Sequence, residues 1–174
     1  MTLSLAKYSE IGEQEYLDYI TEWELNNEHI VPYAVGRYGR SFDQVMIKWH
    51  EDETNVAYEK GFVPSTLFFL INGDRKVLGA IHFRHELNEK LLQNGGHIGY
   101  GIRKSERQKG YAHKMLSMLL KSLTDSDIEK VLLTCDDNNI GSIKTIESCH
   151  GILQDKIMFE GKLSRRYWIR IKDK

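Results

Sequence analysis

The chain has 174 residues, a formal net charge of −1, 41% hydrophobic and 28% charged residues, and 2 cysteines. At this length a chain buries roughly 70% of its unfolded surface, so residues 1–174 are expected to form one domain whose core needs no disulfide or metal. Near-zero charge argues against nucleic acid as the main partner, and the longest apolar run of the first half, Leu67 to Ile71, falls far short of the roughly 18 residues of a membrane span.

Met1 to Glu10 lack the basic start and apolar stretch of a secretory signal, so a cytoplasmic location and no membrane partner are expected. Cys135 and Cys149 stand apart from any closely spaced set, which predicts two buried thiols rather than a disulfide framework or a zinc site.

Tyr16, Leu17, Ile20 and Trp23 are spaced for one face of a helix. A second helix is predicted from Ser41, because Ser41 and Gln44 have capping-box spacing and Phe42, Val45, Met46 and Trp49 recur at helical intervals. Glu51 to Thr66 has no period and is punctuated by Gly61 and Pro64, which predicts a long surface loop able to cover a site. Leu67 to Ile71, a turn at Asn72-Gly73-Asp74 and Lys76 to Arg84 form a predicted hairpin.

His97 to Ile102 is a further predicted strand, followed by a basic loop and a helix with one apolar face: Ala112, Met115, Leu116, Leu119, Leu120 and Leu123. A strand at Val131 to Cys135, a helix at about Asn139 to Cys149 and strands near Ile152 to Phe159 and Arg165 to Ile171 complete the chain. The order is that of an α/β (α+β) fold with a strand-helix-strand unit in the middle.

Gly99 to Ala112 carries the chemistry. A strand that runs through a basic loop into a helix leaves backbone N–H groups unpaired at the helix start, and the helix dipole favours an anion there. Gly110 permits close backbone approach, and Arg107 and Lys109 bring positive charge. Two other nucleotide motifs fail on spacing: Lys104 stands where a dinucleotide fingerprint needs its third glycine, and no Gly precedes Lys104-Ser105 as a Walker loop requires.

Arg107-Gln108-Lys109-Gly110-Tyr111-Ala112 and Asn139-Ile140-Gly141-Ser142, in this order of elements, resemble the GNAT superfamily of acetyl-CoA-dependent N-acetyltransferases. Gly61 to Thr66, His85 to Asn88 and Gly95 to Arg103 also resemble phrases of a bacterial branch of that superfamily. The resemblance implies a three-layer fold with a mixed, mostly antiparallel central sheet, a splayed strand pair and flanking helices. It implies acetyl-CoA as cosubstrate, with the diphosphate on Arg107, Gln108, Lys109, Gly110, Tyr111, Ala112 and His113. The pantetheine arm would lie along Tyr100, Gly101 and Ile102, with Asn139 and Ser142 reaching it from the opposite side. Gly99 and Gly101 fit close approach of that arm, or a bulge. A homodimer is a common assembly among such relatives.

The implied reaction moves an acetyl group to a primary amine of a small molecule or peptide by direct transfer. Relatives often carry a Glu or His base at positions that here hold Gly96 and Ile98, so His97 is the candidate base, although strict alternation puts it on the face of Gly99 and Gly101. Relatives also carry an acidic Tyr where this chain has Ile146; Tyr100, Tyr111 or solvent could protonate the leaving thiolate instead. These departures leave a non-catalytic CoA-binding sensor or interaction module as the alternative, and a phosphate-binding regulator unrelated to CoA as a third reading. His82 and His85, three apart in a strand, point to opposite faces, so no metal site is expected. Cys135 is a poor nucleophile beside Asp136.

Overall fold

The computed structural model describes residues 2–172. A first sheet has the order β1 (Leu3–Lys7), β2 (Ser65–Asn72), β3 (Val77–Arg84) and β4 (Ile98–Ile102); a second has β5 (Lys130–Asp136), β7 (Lys162–Arg170) and β6 (Ile152–Phe159). Every ladder in both is antiparallel. The helices are α1 (Glu13–Leu25), α2 (Phe42–Asp52), α3 (Val56–Glu59), α4 (Glu89–Gln93), α5 (Tyr111–Ser122) and α6 (Ile140–Ser148).

Strand alternation divides the core in two. On one face of the first sheet, Leu67, Phe69 and Ala80 meet Tyr16, Tyr19, Ile20 and Trp23 of α1 and Val45 and Trp49 of α2. On the other, Leu70, Ile81, Ile98 and Ile102 meet Met115, Leu116 and Leu119 of α5, and the same cluster runs on through Val131, Leu133, Ile146 and Tyr167 under the second sheet. The sheet is thus sandwiched between helix layers, with α5 shared by both sheets.

Local signals account for the boundaries. The Ser41 hydroxyl accepts the Gln44 N–H at 3.3 Å while the Gln44 side chain accepts the Ser41 N–H at 3.0 Å, which starts α2. The Asn72 side chain accepts the N–H groups of Asp74 and Lys76, which closes the β2–β3 turn.

Three elements differ from expectation. Leu3–Lys7 is an edge strand; Glu89–Gln93 is a one-turn helix capped by Asn88, whose side chain accepts the Leu91 N–H at 2.9 Å; and 51–66 is not one loop, because α2 runs to Asp52, α3 follows and β2 starts at Ser65. Neither β1 nor α4 has an apolar period long enough to detect.

Candidate active site

Among the described residues, His97 stitches the start of β4 to β5 by hydrogen bonds. The His97 N–H donates to the Leu132 carbonyl at 2.7 Å, and the Leu132 N–H returns to His97 Nδ1 at 2.9 Å. Beyond that stitch β4 pairs only with β3 among the described residues, and the strands separate into different sheets. The Arg84 N–H donates to the His97 carbonyl and the Arg103 N–H to the Leu78 carbonyl. By antiparallel alternation, Gly99 and Gly101 address β3, as do the His97 carbonyl and the Arg103 N–H, while the N–H and C=O of Ile98, Tyr100 and Ile102 point to the open edge. Arg107 Nε donates to the Ile102 carbonyl at 3.0 Å, so Ile98 and Tyr100 present the open part of that edge.

Of the β4 glycines, Gly101 meets a close approach from the chain itself. A Cβ on Gly101 would sit 2.1 Å from the Val31 carbonyl oxygen, and one on Gly99 would make ordinary contact with Pro32. Gly101 therefore admits the chain at 31–32. The segment that follows is anchored by Tyr16, whose hydroxyl donates to the Val35 carbonyl at 2.9 Å, and by Trp49, whose indole donates to the Ala34 carbonyl at 2.8 Å.

At the other end of β4, residues 103–110 form the bend into α5. Gln108 and Gly110 both have left-handed backbone, φ 61° and 76°, and Gly110 is the residue before the first turn of α5. The first intrahelical bond runs from the Lys114 N–H to the Gly110 carbonyl, so helical geometry offers no internal acceptor to Ala112 or His113 N–H. Within the bend only Arg103 and Glu106 are buried, and several of the other side chains are tied by ion pairs or hydrogen bonds. Arg103, buried, pairs with Asp18 at 2.6 Å and with Glu22, and Ser105 donates through N–H and Oγ to Glu22. Arg107 pairs with Glu28 and lies over the Trp23 ring; Lys109 pairs with Glu106 at 2.9 Å. Arg107 and Lys109, expected to meet phosphate, are thus paired with acids of the same chain.

On the far side of the splay, Asn139 caps α6: its side chain accepts the Ser142 N–H at 3.1 Å. The Tyr100 hydroxyl reaches across to the Ser142 carbonyl at 3.5 Å, and burial pushes its pKa up to about 12, so it stays protonated. Ile146, where relatives carry Tyr, is core. His113 Nδ1 is 2.8 Å from Ser148 Oγ and links α5 to α6. Tyr111 and Ala112 pack against the core beneath them.

His97 is corrected as a base. In the neutral ring the lone pair on Nδ1 accepts the Leu132 N–H, so the proton sits on Nε2, and burial holds the pKa down to about 4. Cys135 is partly exposed rather than buried, and burial with nearby acids raises its thiol to about 11, which fits its exclusion as a nucleophile; Cys149 is buried. His82 and His85 part as expected: His85 Nε2 lies 2.8 Å from Thr66 Oγ1, whereas His82 Nδ1 is buried with no hydrogen-bond partner.

A cavity of about 750 Å³ opens beside the first half of β4, on the α1/α2 face. His82, paired in register with Gly99, and Arg84 line it from β3, α2 supplies Ile47 and Lys48, and Phe62 and Asn94 close the sides. Sequence reasoning missed this cavity because its walls come from segments far apart in the chain; the Glu51 to Thr66 stretch, expected to cover a site, supplies part of the wall.

Residues 12–151 match the family described as Acetyltransferase (GNAT) domain. No curated protein matches the chain. Among solved structures, the ribosomal-protein-S5-alanine acetyltransferase of Vibrio fischeri is similar at TM-score 0.69 and 11% identity, over 99% of this chain and 95% of that one. The spermidine/spermine N-acetyltransferase of Vibrio cholerae is similar at TM-score 0.65 and 17% identity, over 97% and 94%, and a dodecameric structure of the spermidine enzyme at TM-score 0.64 and 16%, over 97% and 94%. At these identities the solved structures speak for the fold, while the family match covers most of the sequence including the bend and the Asn139 cap. The chain belongs to the GNAT family of acetyltransferases.

Proposed function

We propose that this chain, acting as one domain, moves an acetyl group from acetyl-CoA to a primary amine of a small molecule or peptide by direct transfer. The observation that carries the reading is the bend at 103–110, where left-handed Gln108 and Gly110 deliver the backbone into α5 next to the open edge of β4. Backbone N–H groups at a helix start suit a diphosphate, and an unpaired strand edge suits the amide-bearing pantetheine arm. The cosubstrate would therefore rest on Gln108 to His113 and along Tyr100 to Ile102, with Asn139 and Ser142 across the splay. Arg107 and Lys109 shape the bend through Glu28 and Glu106.

When bound, acetyl-CoA supplies an activated thioester carbonyl. The open-edge N–H groups of Ile98 and Tyr100 can stabilise the charge that grows on the carbonyl oxygen. An alkyl ammonium has a pKa of about 10.4 and must lose its proton to attack. Burial and the positive cavity lining lower that value, so the amine gives its proton to solvent at the cavity mouth. The Tyr100 hydroxyl gives a proton to the departing sulfur, in place of the Tyr that Ile146 replaces, so the nitrogen gains the acetyl group and the thiol leaves neutral. Tyr100→Phe is expected to lower kcat at least tenfold while the Kd for acetyl-CoA moves less than threefold.

The test is thermal stabilisation by acetyl-CoA against ATP and NAD, followed by thiol release over a panel of small amines, polyamines, amino acids and peptide N-termini. A ligand at 100 times its Kd adds about 2.7 kcal/mol. Stabilisation by acetyl-CoA with thiol release supports transfer; stabilisation without release from any amine favours the sensor reading, for which Ile146 speaks; no stabilisation overturns both. The amine-acetylating names of the solved neighbours support the acceptor class. The homodimer and the cytoplasmic location implied above belong to the same proposal, and among the described residues no helix is long and apolar enough to cross a membrane.

A further inference from the structure

The charges on the cavity wall do not cancel. Lys48 is paired with Asp52 and Lys60 with Glu51, which accounts for both acids of the lining. Arg40, Arg84 and Lys90 remain, and among the described residues no carboxylate pairs with any of them. Arg84 is the most constrained. It rises from β3, is partly buried, and donates through Nη1 to the carbonyls of Gly95 and Gly96 at 3.1 Å each. Those carbonyls fix the guanidinium but cannot neutralise it, and burial pushes its pKa down. A confined cation without a counter-ion is relieved by an anion from outside.

We infer that the cavity takes an acceptor amine that also carries an anionic group, carboxylate or phosphate, held by Arg84 with Arg40 and Lys90 near it. This rests on the acetyl-transfer reading above. Tyr33, Ile47 and Phe62, large and exposed at the lining, give an apolar stem something to lie against. Repulsion by the same cations disfavours a di- or polyammonium acceptor. Arg can grip either oxyanion through two parallel N–H donors, so the two chemistries are separated by experiment rather than by the lining.

Two measurements on the full chain test this. Without acetyl-CoA, pentanoate and propyl phosphate at constant ionic strength are expected to stabilise the protein thermally, and pentylamine is not. With acetyl-CoA, kcat/KM from thiol release is compared for 5-aminopentanoate, norvaline and 3-aminopropyl phosphate against pentylamine and 1,5-diaminopentane. At least one anion-bearing amine should exceed both others tenfold, and which one does so identifies the anion and its distance from the amine. The double variant Arg40→Glu, Lys90→Glu, altered only at exposed positions, should lower that preference at least tenfold with acetyl-CoA affinity unchanged; Arg84→Gln should lower it too. Equal or better use of the diamine, or a preference unmoved in the double variant, overturns the inference while acetyl transfer stands. Failure of every amine to release thiol overturns the acceptor role together with the acetyl-transfer reading, even if pentanoate still binds.

Discussion

His82 on β3 and His97 just before β4 are both held neutral by burial, yet His97 Nδ1 has a partner and His82 Nδ1 has none. His97 Nδ1 takes the Leu132 N–H and joins the two sheets. Its folded pKa of about 4 lies below the ordinary 6.5, so between those values the unfolded chain binds a proton that the folded one refuses. Its contribution is therefore whole above pH 6.5 and is lost as pH falls toward 4, by up to about 3 kcal/mol. His82 and His85 shift in the same direction and add to the loss. Urea midpoints from pH 8 to 4 should fall on the acid side, and His97→Gln should fall less steeply; an unchanged slope would remove His97 from this account. Gly110 is the left-handed residue that opens α5. Its φ of 76° penalises any side chain, but a Cβ there meets no atom within 4 Å. Gly110→Ala should cost about 1 kcal/mol of stability with little change in acetyl-CoA binding, whereas Gly110→Asp should also weaken binding at least tenfold by calorimetry, because its carboxylate faces the diphosphate.

Between elements, the decisive contact is α1 against the bend. Asp18 and Glu22 of α1, with Glu28 just beyond its end, hold Arg103, Ser105 and Arg107, so the helix that packs the first sheet and the chain leaving it also set the path of the bend. If backbone rather than charge grips the diphosphate, the charges can be exchanged. Arg107→Glu alone should weaken acetyl-CoA binding, and adding Glu28→Arg should restore at least half of the lost binding energy; no rescue would mean that Arg107 touches the phosphate itself. The strand, bend and leucine-rich helix were legible in the sequence because each is written in neighbouring residues: alternation, glycine and an apolar stripe. Ser41 with Gln44 was legible for the same reason. The destination of Arg107 was not, since a basic loop reads alike whether its partner is phosphate or a carboxylate seventy-nine residues away, as Glu28 is. Gly101 misled in a related way: a missing Cβ announces close approach but not by whom, and here the visitor is Val31.

Across the molecule, the cavity and the bend occupy opposite ends of β4, a strand of five residues spanning about 17 Å. The amine would come in past Gly95 and the coenzyme past Gly110. On the proposed reading neither reactant would have to thread a passage filled by the other, so both would be aboard at once and either product would be free to depart first. Initial-rate plots against each reactant should accordingly intersect; parallel lines would signify an acetylated protein formed in between, for which this architecture offers no well-placed nucleophile. A separate gate for each reactant would also free the acceptor's vestibule to diversify over evolutionary time, while the coenzyme's berth stayed as it is.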